Sequence, residues 1–274
     1  MLVYLRGGGD LASGVAVRLQ RAGLRVLITE LPQPQMVRRL VSFAEAVYRG
    51  WFTVEGITAR RTGHLDEALA LAGQGFIPVL VDPQAATLQA LAAYPDPSRP
   101  AVLVDGRMTK RPPETGLEIS PLVIGLGPGF IAGINCHAAI ETNRGHFLGR
   151  VIWQGPPEAD TGVPESVRLH GAERVLRSPA GGTLVTHAEI GDHLEPGQPV
   201  AEVAGHTVLA PFRGVLRGLL HPGLQVRQGA KIGDVDPRDD PRYCTLVSDK
   251  ALAIGGAVLE AILSRPDLRC RLWE

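Results

Sequence analysis

The chain has 274 residues, of which 45% are hydrophobic, 20% charged and 5% aromatic, too long for one small domain and too apolar for a disordered chain. Twenty-eight Lys and Arg balance 28 Asp and Glu, so no strong basic field exists to hold nucleic acid or an anionic membrane. Cys136, Cys244 and Cys270 are odd in number, far apart and without a CxxC pair, which argues against a disulfide framework and a zinc ribbon. Met1 leads directly into the short apolar run Leu2 to Leu5, which Gly7-Gly8-Gly9 ends, and no stretch nears the roughly 20 apolar residues of a membrane helix. A soluble, cytoplasmic protein with no nucleic-acid or membrane partner is expected.

Leu2 to Leu5 reads as a buried strand, followed by Gly7-Gly8-Gly9-Asp10-Leu11-Ala12-Ser13-Gly14 and a helical pattern that Gly23 ends. Arg25 to Glu30 (RVLITE) is a second strand. Gly7, Gly9 and Ala12 fit G-x-G-x-x-A: a tight turn, a close backbone approach to a pyrophosphate, and a small residue for helix–strand packing. Glu30 stands where an acid accepts hydrogen bonds from a ribose diol. Gly7, Gly8, Gly9, Asp10, Leu11, Ala12 and Glu30 are therefore the cofactor-binding candidates, against the alternative that the glycines only make a turn. A carboxylate at Asp10 caps a helix but repels a phosphate, so Arg6 or a metal must offset it, or the ligand is no ordinary dinucleotide.

The pattern continues with a helix over Met36 to Tyr48, a strand at Ile57 to Arg60, a helix at Leu65 to Ala72 and a strand at Ile77 to Val81. A helix at Gln84 to Ala93 and strands at Ala101 to Val104 and Leu122 to Gly125 complete the alternation of a parallel sheet with covered faces. Asp82, Asp105 and Gly125 fall at carboxyl ends of strands, where open α/β sheets bind ligands, although Asp82 reads as a helix cap. In the loop after Asp105, the cations Arg107, Lys110 and Arg111 suit an anion or form a solvated loop.

Gly125, Gly127 and Gly129 form a second glycine turn, rigidified by Pro128, and are carried as further cofactor-binding candidates. After it, Cys136, His137, Glu141, Arg144 and His146 gather in a short span and are the catalytic candidates. Cys136 is a nucleophile or ligand only if it faces a cleft, and neighbours on a strand point to opposite faces. Glu141, Arg144 and His146 either share one concavity or make a buried ion pair joining two domains.

From 178 to 233 the pattern Pro179, Gly182, Leu184, Gly191, Leu194, Gly197, Val200 recurs after 32 residues as Pro211, Gly214, Leu216, Gly223, Val226, Gly229, Ile232. The spacing is similar to biotinyl and lipoyl carrier domains, but no Lys lies between 178 and 230, which excludes a swinging-arm carrier. A barrel-sandwich scaffold remains, with His206 solvated at its hairpin tip. Ser248-Asp249-Lys250 caps a terminal helix in which Gly255-Gly256 implies close contact with another backbone.

R-G-G-G-D-L-A-S-G at 6–14, G-L-G-P-G-F at 125–130, I-E-T-N-R-G-H-F-L-G-R-V-I at 140–152, D-T-G at 160–162 and S-D-K-A-L-A-I-G-G at 248–256 carry one resemblance along nearly the whole chain. By them the chain resembles the YqeB-type accessory proteins of the selenium-dependent molybdenum hydroxylase system, and its N-terminal part is similar to the Rossmann domain of xanthine dehydrogenase accessory factors. The resemblance implies a maturation factor for a molybdenum hydroxylase, with an anionic nucleotide-containing ligand or the molybdenum cofactor bound and the hydroxylase as partner. It assigns no catalytic residue.

The expected fold is α/β: an N-terminal Rossmann-like parallel sheet plus a C-terminal all-β barrel-sandwich (biotinyl/lipoyl-like) module and a terminal helix. The expected divisions are 1–132, a connecting segment 133–177, the barrel-sandwich 178–236, and a helical segment 237–274 packing back on the first domain. Two alternatives stay open: an NAD(P)-dependent oxidoreductase with His146 as acid and Glu141 orienting it, and a docking module built on 178–233.

Overall fold

A computed structural model describes residues 1–93, 102–160, 162, 167 and 170–272. The chain splits into two compact units, one of Met1–Pro34, Ser42–Asp160 and Val247–Glu274, the other of Gln35–Val41 and Thr161–Leu246. Among the described residues no helix is long and apolar enough to cross a membrane.

The first unit begins with β1 (Leu2–Arg6), α1 (Asp10–Arg21), β2 (Arg25–Glu30), the short α2 (Ala46–Arg49), β3 (Trp51–Val54) and β4 (Ile57–Thr62). It continues through α3 (Leu65–Gly73), β5 (Ile77–Val81), α4 (Ala86–Ala93), β6 (Val102–Asp105), β7 (Leu122–Leu126), β8 (Ala138–Ile140) and β9 (Val151–Ile152). The strands form one nine-stranded sheet in the order β3-β4-β5-β2-β1-β6-β7-β8-β9. Its seven central strands are parallel, and apart from β4 (ITARRT, with Arg60 and Arg61 exposed) they are near-continuously apolar, as burial on both faces requires. The outer pairs β3–β4 and β8–β9 are antiparallel.

In the second unit, β10 (Val175–Arg177), β11 (Gly182–Thr186), β12 (His193–Leu194), β13 (Pro199–Val203), β14 (His206–Leu209), β15 (Gly214–Leu219), β16 (Gln225–Val226) and β17 (Lys231–Asp236) precede the short α5 (Arg242–Thr245). They make two antiparallel sheets, β10-β17-β15-β12 and β14-β13-β11-β16. A core of Leu184, Leu194, Val200, Leu216, Leu219 and Ile232 packs together. The two copies of the sequence repeat exchange their short strands: β12 of the first pairs with β15, and β16 of the second pairs with β11. The β13–β14 hairpin turns at Ala204 and Gly205, both at positive φ, and His206 is exposed beside it.

The chain returns to the first unit with α6 (Asp249–Leu263) and α7 (Pro266–Arg269), and the Ser248 hydroxyl accepts the Ala251 N–H to cap α6. Helices α1 and α6 cross at glycine. A Cβ at Gly14 would stand 2.6 Å from the Ala251 Cβ, and one at Gly255 would stand 2.7 Å from the Gly14 carbonyl oxygen. Gly256 has open space beside it, so close contact accounts for Gly255 alone.

The chain is α/β, but the expected layout of a Rossmann-like parallel sheet followed by a barrel-sandwich module is corrected. The sheet is mixed, the β3–β4 hairpin intervenes before β5, and the β6–β7 and β7–β8 connections carry no α-helix beyond the 3-10 turn Leu117–Ile119. A second βαβαβ half of a dinucleotide fold is therefore missing. The β unit is not built from 178–236 alone. It takes β10 into one sheet, and Val37 accepts the Leu219 N–H at 2.8 Å where Gly218 leaves room for its backbone.

The helix expected over Met36 to Tyr48 is also absent. Two 3-10 turns, Arg39–Val41 and Phe43–Glu45, flank an extended Ser42, and only Ala46–Arg49 is α-helical.

Candidate functional site

Strand β1 has β2 on one side and β6 on the other, so the chain reverses its direction of winding there. The crevice outside the carboxyl ends of strands at such a switch point is where open α/β sheets bind ligands. Gly7, Gly8 and Gly9 lie there. Gly7 takes φ +92, which a side chain would disfavour, and donates its N–H to the Thr29 carbonyl at 2.8 Å.

The chain itself fills the rest of that corner. The Gly8 N–H donates to the Glu30 carboxylate at 2.6 Å. The Gly8 carbonyl accepts the Ala44 N–H and the Ser13 hydroxyl, each at 2.9 Å, and the Ser13 oxygen accepts the Phe43 N–H at 2.8 Å. A Cβ at Gly8 would meet the Ala44 nitrogen at 3.0 Å. Glu30 thus spends its carboxylate on Gly8 and Leu31 backbone N–H groups rather than on a ribose. Burial raises its carboxyl above the ordinary range, against those two bonds, which lower it. Gly9 is the N-cap of α1, Asp10 and Leu11 are partly exposed, and Ala12 is buried against Gly106. A pyrophosphate at Gly8 would face a carboxylate and find its main-chain donor already bonded.

The second glycine turn is filled as well. The Phe130 ring lies on Gly125, Gly127 takes φ +107 beside the Met108 backbone, and a Cβ at Gly129 would stand 2.6 Å from the Thr109 carbonyl oxygen. Gly125, Gly127 and Gly129 accommodate their own chain, not a cofactor.

The catalytic candidates are dispersed into structural contacts. Cys136 is buried in the apolar core with Tyr4, Phe130 and Ala139, and burial pushes its thiol up to about 11, so at neutral pH it is a protonated core residue. His137 accepts the Val123 N–H on Nδ1 at 3.0 Å, its backbone N–H donates to the Val123 carbonyl, and burial and then Arg265 push its ring pKa below 6.5. The buried Glu141 accepts the Asn143 and Glu158 N–H groups at 2.6 and 2.7 Å. Arg144 makes a two-pronged pair with Asp249, both contacts 2.6 Å, and His146 is exposed with its ring edge-on to Phe147. Glu141, Arg144 and His146 therefore do not converge.

The anion-loop residues are more informative. Lys110 pairs with Asp160, and Arg111 is exposed with its carbonyl accepting the Thr109 hydroxyl. Arg107 is held on one edge by the fully buried Asp105, through Nε at 2.9 Å and Nη2 at 2.6 Å. On its other edge it holds Glu114 with both prongs, Nη1 to Oε1 at 3.1 Å and Nη2 to Oε2 at 2.8 Å. Burial alone would lower the Arg107 pKa, and the bonds to Asp105 and Glu114 outweigh it and raise it. Arg6, its side chain only 7% exposed at the end of β1, reaches the same Glu114 Oε2 at 3.2 Å. The Arg107 hydrogen bond holds the Glu114 carboxyl at about 2, far below its ordinary range. Yet the Glu114 side chain is 67% exposed. Two organised guanidiniums thus converge on one carboxylate that the solvent also reaches. Glu114 had no motif to mark it; Arg6 stood in the glycine motif only as an offset to Asp10, and Arg107 was visible as a loop cation at a strand's carboxyl end.

Among the described residues no group of three or more His, Cys, Asp or Glu could hold a metal ion. No protein-family model matches the chain. Solved structures similar to it include the ectoine utilization protein EutE (DoeB) from Ruegeria pomeroyi, at 10% identity and TM-score 0.24, covering 85% of both chains. They also include a succinylglutamate desuccinylase/aspartoacylase from Rhodobacter sphaeroides, at 15% identity and TM-score 0.26, covering 85% of this chain and 84% of that one. An aspartoacylase family protein from Mesorhizobium loti gives 12% identity, TM-score 0.27 and the same coverage. At such scores these likenesses assign the chain no activity.

The expected role in molybdenum hydroxylase maturation, and the alternative of an NAD(P)-dependent oxidoreductase, are corrected here. The corner that was to hold a nucleotide is occupied by Glu30 and residues 42–44. In sequence, the chain is 47% identical over 262 residues to "Uncharacterized protein YqeB" of Escherichia coli (strain K12), which covers 96% of this chain. The chain spans about half, 47%, of that relative's length.

Proposed function

We propose that the first unit binds a small carboxylate between Arg6 and Arg107, with Glu114 holding that place when no guest is present. The observation that carries this reading is the two-pronged grip of Arg107 on Glu114, shared with Arg6, on a carboxylate that is two-thirds exposed. Asp105 fixes the guanidinium from behind, so little ordering remains to be done on binding. A planar two-oxygen anion matches the fork that Glu114 now fills. The guest is compact, because Glu30 and Ala44 close the Gly8 side of the crevice. The groups that meet it are fixed charges, suited to holding a carboxylate.

Isothermal titration of the full chain with succinate tests the proposal, with inorganic phosphate as the comparison. Removing the competing carboxylate in Glu114→Ala raises succinate affinity about three- to tenfold, since an exposed bridge of this kind competes with about 1 kcal/mol. Arg107→Met, which leaves Asp105 only the backbone N–H of residue 107, abolishes binding. Equal affinity in wild type and Glu114→Ala, or binding that survives Arg107→Met, would overturn it.

A further inference from the structure

On a different part of the first unit, the β3–β4 hairpin and α3 enclose a cleft of about 510 Å3, within the range of small-molecule sites. In the antiparallel register Trp51 lies opposite Arg60 and Thr53 opposite Thr58, so these four side chains share one face of the hairpin. Trp51 is 61% exposed, a large aromatic surface left to solvent at the cleft. Arg60 lies over the Phe76 ring, its Cζ 3.9 Å from the centroid, so its guanidinium plane is held by stacking. Arg61 also lines the cleft and is tethered by its Nη1 to the Val47 carbonyl at 3.1 Å. The remaining charge in the lining is Glu67, whose carboxylate accepts the Thr62 hydroxyl.

We infer that this cleft binds a planar aromatic monocarboxylate, its ring against Trp51 and the Arg60–Phe76 stack and its carboxylate toward the Arg60 guanidinium. Arg60 supplies the cation on the Trp51 face, while the Arg61 guanidinium, on the other face of the strand, is held at the Val47 carbonyl. Flat π surfaces and a stacked guanidinium select an aromatic ring over a saturated one of equal size. The site is independent of Arg6 and Arg107, and neither line of argument uses the other.

The experiment is titration of the full chain with benzoate, cyclohexanecarboxylate and benzamide, which separate ring from charge. Benzoate binds about tenfold more tightly than either comparison compound, Trp51→Leu removes most of that margin, and Arg60→Met removes the rest. Trp51→Leu changes an exposed residue, so circular dichroism and the thermal midpoint stay as in wild type. Saturating succinate, which occupies the Arg6–Arg107 place, leaves benzoate binding unchanged. The inference is overturned if benzoate and cyclohexanecarboxylate bind alike, if Trp51→Leu binds as wild type, if succinate displaces benzoate, or if no binding is found.

Discussion

Adjacent glycines in α6 should respond unequally to the same substitution. Relative to Gly, Ala in a helix interior is favoured by about 0.8–1.0 kcal/mol. At Gly256 nothing lies within 4 Å of a new Cβ and the backbone is helical, so Gly256→Ala should keep the whole gain. At Gly255 the Cβ would stand 2.7 Å from the Gly14 carbonyl oxygen and 2.8 Å from Arg18 Cγ. Arg18 can give way, but the Gly14 backbone can move only with α1, and overpacking of this kind costs about 1–3 kcal/mol. The intrinsic gain is common to both variants, so Gly255→Ala should be less stable than Gly256→Ala by the overpacking cost, about 1–3 kcal/mol. Urea unfolding of the full chain reads this as a shift in midpoint at constant slope. Two variants stabilised equally would refute the close crossing of α1 and α6.

Native-state labelling with a thiol reagent should modify Cys270 alone, because Cys136 and Cys244 are buried and burial raises both thiols; rapid labelling of Cys136 would restore it as a reactive group. Burial raises Glu30 above its ordinary 4.5, so as pH rises from there through the raised value the folded chain holds a proton the unfolded chain has lost, and stability falls. The thermal midpoint should therefore decline over that window in wild type and be flatter in Glu30→Gln; parallel profiles would contradict the assignment. His137 works the other way. Its pKa is pushed below 6.5, so its contribution is present above 6.5 and is lost as pH falls through the folded value, which proton NMR of the ring should place below 6.5.

Much of the sheet was readable in the chain because strands buried on both faces leave unbroken apolar runs, as in Leu2–Arg6, Ile77–Val81 and Leu122–Leu126. Trp51–Val54 escaped because an edge strand needs no such run, and its pairing with β4 depends on the turn at Glu55-Gly56, both at positive φ. The helix expected over 36–48 failed for a tertiary reason. Val37 and Arg39 are committed to Leu219, one through its carbonyl and the other through its guanidinium, which holds this stretch away from helical geometry.

At the site, the glycine corner and Glu30 had the right spacing for a nucleotide, and spacing alone cannot show that the carboxylate turns inward onto Gly8. The burial of Cys136 beside Tyr4, Phe130 and Ala139 is a tertiary fact that no local pattern marks. Nothing in the sequence joins Arg6 to Glu114, 108 residues away. That pair exists only because β1 and β6 are neighbours.

The central claim is that Arg6 and Arg107 form a place for a guest carboxylate, and a crystal structure of Glu114→Ala grown with succinate tests it most directly. The account predicts a carboxylate seated between the two guanidiniums, both oxygens on Arg107 and one shared with Arg6, with Asp105 still behind. Guanidiniums drawn to other protein acceptors, with succinate absent or bound elsewhere, would contradict it.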